Sequence, residues 1–149
     1  MSVSPNQPRL VFIATLLLCT LLFGCEKRVE HQAREIIGPS PSFPTSAPVV
    51  ISLQTFSRHQ TNFSIQDPKL CEVILAALGP AQEVGMHKCA PTGRMTVTLA
   101  NQDSLRLEIL HGHDPSNVEY VYQRKYYMGP GTNFFKALKT AGVDLKLLQ

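Results

Sequence analysis

The chain has 149 residues, with 14 Lys and Arg against 11 Asp and Glu, a formal net charge of +3. That balance is too mild to argue for nucleic acid or a strongly anionic partner, and the length fits one globular domain. Trp is absent, and no internal repeat or second hydrophobic span is visible.

The first element is an uncharged run from Leu10 to Phe23, preceded by Arg9 and followed by Gly24-Cys25. A positive start, a short apolar middle and small residues at the cut are the marks of a secretory signal. The run is short for a transmembrane helix, which needs about 20 residues. Leu22-Phe23-Gly24-Cys25 carries the Leu, Gly and Cys of a lipobox, with Phe23 where a small residue is more usual. On these residues the segment resembles the signal peptide of a bacterial lipoprotein. The resemblance implies removal of residues 1–24, lipidation of the Cys25 thiol (palmitate among the acyl chains) and acylation of the new amine. Two or more chains hold a protein stably in a bilayer, where one gives only marginal binding. The implied partner is therefore the lipid bilayer, and the implied location is the cell envelope. Glu26, rather than Asp, leans toward an outer membrane facing the periplasm in a Gram-negative host.

Residues 25–48 read as a lipidated cysteine and tether. The stretch from Gly38 to Pro48 carries Pro39, Pro41, Pro44 and Pro48, a composition that favours extended chain. With Cys19 in the signal and Cys25 acylated, Cys71 and Cys89 remain. In the oxidising compartment implied by the resemblance they are expected to form a disulfide. A two-thiol metal or redox site is the alternative, although the spacing matches no CxxC motif.

Residues 49–149 read as a single domain. Val49, Ile51 and Leu53 alternate with Val50, Ser52 and Gln54, which predicts a strand. A polar stretch from Ser57 to Gln66 follows. Asp67-Pro68 then opens a helix, with Asp67 as cap and Pro68 in the first turn. Leu70, Val73, Ile74, Ala77 and Leu78 would form its apolar face, and Gly79-Pro80 would end it. Met95, Val97 and Leu99, then Leu105, Leu107 and Ile109, predict a hairpin around Asn101-Gln102-Asp103. Its outward Arg, Thr and Glu residues mark a sheet with one solvated face. Residues 111–117 form a second turn, and Val118 to Tyr127 predicts one further strand. Thr132 or Asn133 would cap a last helix packed by Phe134, Phe135, Leu138 and Ala141 and stopped by Gly142. The expected fold is α+β: an antiparallel sheet of about four strands with two helices on one face, in the order β-α-β-β-β-α.

Two constellations could carry chemistry. His111 and His113 flank Gly112 and could share a face, with Asp114 or His87 completing a metal site; Gly112 and Pro115 favour an ordinary surface turn. Tyr120, Tyr122, Tyr126 and Tyr127 are interleaved with Arg124 and Lys125. Exposed Tyr and Arg would suit recognition of an envelope protein or a glycan. The same tyrosines could equally pack onto the helices, which predicts Tyr120 and Tyr122 buried. No GxSxG, HExxH or phosphate-binding glycine loop is present, and no cofactor is implied. The sequence thus favours a membrane-anchored, non-catalytic module that binds or assembles in the envelope. The alternative is a small extracytoplasmic hydrolase or metal-dependent enzyme with an unrecognised site.

Overall fold

The computed structural model describes residues 35–148, apart from His59, His87 and His113. The stretch read as a signal peptide, Cys25 and the start of the stretch read as tether lie outside the described residues. Among the described residues there are eight strands: Ile36–Gly38 (β1), Pro48–Thr55 (β2), Asn62–Ile65 (β3), Gln82–Val84 (β4), Pro91–Leu99 (β5), Ser104–Leu110 (β6), Asn117–Tyr122 (β7) and Lys125–Pro130 (β8). Two helices, Pro68–Leu78 (α1) and Thr132–Thr140 (α2), and a 3-10 turn at Leu145–Leu148 complete the fold. All strand pairs are antiparallel, in one sheet ordered β1-β4-β8-β7-β6-β5-β2-β3.

The expectation of about four strands is therefore corrected to eight. Three of the additional strands are short edge or near-edge pieces. β3 lies inside the polar stretch after Ser57, where only Ile65 is buried. β4 is three residues long, and β1 falls within the stretch read as tether. The fourth arises because Val118 to Tyr127 is not one strand. It folds back at Gln123-Arg124, both left-handed, with φ of 49° and 66°. Two such residues give the type I′ turn whose twist matches the flanking strands, a geometry usually signalled by Asn-Gly.

One sheet face meets the helices. In α1, Asp67 accepts hydrogen bonds from the Lys69 and Leu70 amides at 3.0 and 3.4 Å, as expected of the cap. Its buried stripe is Cys71, Ile74, Leu75 and Leu78, one step round the helix from the expected face, and Val73 is 54% exposed. α2 buries Phe134, Ala137 and Leu138. Gly131, not a Thr132 or Asn133 side chain, occupies its cap position. A Cβ there would sit 2.5 Å from Phe135 Cε2. Gly142 adopts φ +82° just past the helix and supplies the expected stop.

Against these helices the sheet presents Ile51, Leu53, Met95, Val97, Leu99, Leu105, Leu107, Ile109, Val118 and Tyr120, all buried. Tyr120 Oη donates to Leu78 O at 2.8 Å, tying the sheet centre to the end of α1. β8 passes close by: a Cβ on Gly129 would lie 2.6 Å from Ala81 Cα.

The expected Cys71–Cys89 bridge is not formed. The Cys71 thiol donates to Ile65 O at 3.4 Å, and burial pushes its pKa up. Ile65 pairs with Ile51 and Ile51 with Val97. Cys89 precedes Pro91, at the far end of β5 from Val97, roughly 20 Å along the strand at about 3.3 Å per residue. Disulfides need Cα atoms within about 7 Å, so the register holds the two cysteines out of reach.

Candidate functional site

The face of the sheet opposite the core follows from the strand alternation. Residues that pair across strands share a face, so the registers define rows. One row crosses all eight strands: Ile36, Val84, Tyr126, Val121, Glu108, Arg94, Gln54 and Asn62. It is apolar from β1 to β7 and polar from β6 to β3. The next row over the polar half is Arg106, Thr96, Ser52 and Ser64. The two rows form a block of eight polar side chains, four strands wide and two deep, with no apolar residue in it.

Over this block lies a shallow depression of about 370 Å³, lined by Ser52, Gln54, Asn62, Ser64, Arg94 and Thr96 together with the apolar Leu53 and Phe63. Arg94 is its centre. Its Nη2 donates to Glu108 Oε1 at 3.2 Å, and its guanidinium lies 5.5 Å from the centre of the Phe56 ring. Its Nε is buried with no hydrogen-bond partner. A buried donor without an acceptor costs about 1–3 kcal/mol, so Arg94 holds an unused directional donor. The pair with Glu108 is more than a third exposed on both sides and adds little stability of its own. Arg106 is exposed and makes no ion pair among the described residues. Two guanidinium groups thus share this surface with one carboxylate. Its other groups are hydroxyls and amides, which both donate and accept hydrogen bonds. The arrangement can hold a polar ligand.

The tyrosine cluster is not this surface. Tyr120, Tyr122 and Tyr127 are buried, while Tyr126 is half-buried on the opposite face. Tyr120 and Tyr127 stack at 5.4 Å, and Tyr122 packs at 5.3 Å against Phe43. Burial drives the pKa values of Tyr120 and Tyr127 up. Arg124 is in the exposed turn, and Lys125 bonds Glu83 at 2.7 Å, which raises the lysine pKa. The expected recognition surface of Tyr120, Tyr122, Arg124, Lys125, Tyr126 and Tyr127 is thereby corrected: alternation and the hairpin divide it between core, turn and outer face.

For the His111–His113 candidate, His111 follows β6 and is exposed, whereas His113 and His87 lie outside the described residues. Asp114 accepts from the Ser116 amide and hydroxyl at 2.8 and 2.6 Å and so organises the turn. Among the described residues no group of three His, Cys, Asp or Glu side chains converges as a metal site would require. No described helix is long and apolar enough to cross a membrane. The chain matches no protein-family model, no curated protein and no solved structure.

Sequence reasoning anticipated a solvated sheet face but not this block. Its signal was the outward set Arg94, Thr96, Arg106 and Glu108. Its other half, Asn62 and Ser64, became visible only once β3 was paired to β2.

Proposed function

We propose that this chain is a lipid-anchored, non-catalytic binding module of the bacterial cell envelope, and that the polar half of its outer sheet face is its binding surface. The observation that carries the binding role is the block of polar side chains around Arg94, open to solvent beside a depression, on a sheet whose other face is packed into the core. The anchoring role is supported by Leu22-Phe23-Gly24-Cys25. Acyl chains on Cys25 would hold the domain at a bilayer, and residues 26–35 would give it reach. In a Gram-negative host the place that fits Glu26 is the outer membrane, facing the periplasm. The partner is a protein or a glycan of the envelope.

Two measurements test the two halves. Cys25→Ala is expected to leave an unprocessed precursor that incorporates no labelled palmitate and leaves the membrane fraction. Unchanged mobility and fractionation would end the lipoprotein reading. A photo-crosslinking residue at Thr96 or Ser52 is expected to yield a defined adduct in intact cells, whereas one at the exposed helix residue Lys136 is not. Equal adducts from both faces, or none from the sheet face, would refute the binding surface.

A further inference from the structure

We infer that the polar block binds an acidic glycan, a hydroxyl-rich saccharide carrying carboxylate groups, with Arg94 and Arg106 as its charge-recognising residues. This rests on the binding role proposed above and names the ligand class. The argument begins from charge. Arg94 and Arg106 are diagonal neighbours, since Arg94 pairs with Glu108 and Thr96 with Arg106. Such positions lie roughly 7–8 Å apart at Cα. Within the block one carboxylate, Glu108, accompanies them, and Arg94 engages it at 3.2 Å; Asp103, which lines a neighbouring depression with Arg106, makes no ion pair with it among the described residues. The block itself therefore carries one net positive charge and asks for an anion.

The remaining groups define the rest of the ligand. Ser52, Ser64 and Thr96 supply hydroxyls; Gln54 and Asn62 supply amides. They stand on strands about 4.8 Å apart, so they present donors and acceptors at regular intervals across a flat field. A compact ion such as phosphate would use the arginines and leave this field idle. An apolar peptide would strand it desolvated, at a cost for each unpaired group. A saccharide with ring hydroxyls and periodic carboxylates matches both parts. Phe56, against which Arg94 packs, gives the guanidinium a fixed lateral wall. The buried Nε of Arg94 is a further donor that becomes usable if the side chain swings from Glu108 toward a ligand carboxylate.

The test uses the full chain, extracted in a nonionic detergent, and trigalacturonic acid as probe. The acid is expected to shift the backbone amide resonances of Ser52, Arg94, Thr96 and Arg106 in a saturable manner. Its neutral methyl ester should bind at least tenfold more weakly. Arg106→Gln, at an exposed position outside the core, should weaken binding at least threefold, and Arg106→Lys should recover part of it. The affinity should fall as salt rises. Equal binding of acid and ester would overturn the inference, as would insensitivity to Arg106→Gln. Inorganic phosphate binding the same residues as tightly as the sugar acid would reduce the site to simple anion capture and overturn it too. A Thr96 crosslink in cells without trigalacturonate binding would sink the ligand class and spare the binding role. Sugar binding at the block with no membrane attachment would do the reverse for the anchor.

Discussion

Replacing Tyr120 by Phe removes a single oxygen from the most enclosed aromatic ring in the sheet. That oxygen donates to Leu78 O at 2.8 Å, and the same carbonyl also accepts from the Ala81 amide at 3.2 Å. The carbonyl is therefore not orphaned, and the expected loss is that of one net hydrogen bond, about 1 kcal/mol. In urea this lowers the midpoint by roughly 0.5 M for a slope near 2 kcal/mol per molar. Tyr120→Ala, which also empties the ring volume and its stack on Tyr127, should cost about 3–5 kcal/mol. The phenol makes a second prediction through pH. Burial, with the nearby Tyr127, raises its folded pKa well above the ordinary value of about 10. A raised pKa contributes stability that is fully present below the unfolded value. Above about pH 10 that contribution falls away, tenfold in the folding constant per pH unit, until the folded pKa is reached. Equilibrium urea unfolding followed by circular dichroism, from pH 8 to 11, should show a shallower alkaline decline in Tyr120→Phe than in the parent. An unchanged midpoint at pH 8 together with the parent's alkaline slope would refute this account of Tyr120 as a buried tie between sheet and helix.

Arg124→Gly should stabilise the protein by about 0.5 kcal/mol, because relief of the left-handed backbone outweighs the entropy of glycine; a thermal midpoint raised by about 2–3 °C in calorimetry would check it. Gly129→Ala should lose about 2–3 kcal/mol in the same assay, since the new methyl meets the Ala81 backbone rather than a movable side chain. Asp67→Ala should cost about 1 kcal/mol in urea unfolding by uncapping α1.

The parts of the fold legible in the sequence are those where local chemistry and tertiary environment agree. β5 and β6 alternate strictly, and Asn101-Gln102-Asp103 closes their turn through the Asn101 and Asp103 side chains. Asp67-Pro68 starts α1 and Gly142 ends α2. Illegibility has three physical sources. Gln123-Arg124 adopts a glycine-like turn without glycine or asparagine, so flanking packing overrides backbone preference there. β3 and β4 are held by neighbouring strands and carry almost no apolar pattern of their own. The buried face of α1 is set by where β2 and β3 lie beneath it. That selects Cys71 and Leu75 over Val73, although both stripes share Ile74 and Leu78. The tyrosines misled for a related reason: six residues read as lying along one strand straddle a reversal. The polar block depends on the register of four strands at once, which no single segment encodes.

β1 has a mechanical consequence. It joins the sheet at one edge through only Ile36 opposite Val84 and Gly38 opposite Glu83, with the Glu83 amide bonding Pro39 O at 3.3 Å. β2, the next strand along the chain, is flanked on both sides by β5 and β3. Tension entering from the amino-terminal side therefore meets graded resistance. The edge strand peels first, the Phe43–Tyr122 contact yields next, and β2 holds. Peeling frees residues 36–47, which at about 3.4 Å each span at most roughly 40 Å, about 10 Å more than the six strand spacings of about 4.8 Å that already separate β1 from β2. The edge strand thus works as a small reserve of slack, lengthening the chain that leads into β2 under load while the core and the polar face stay folded.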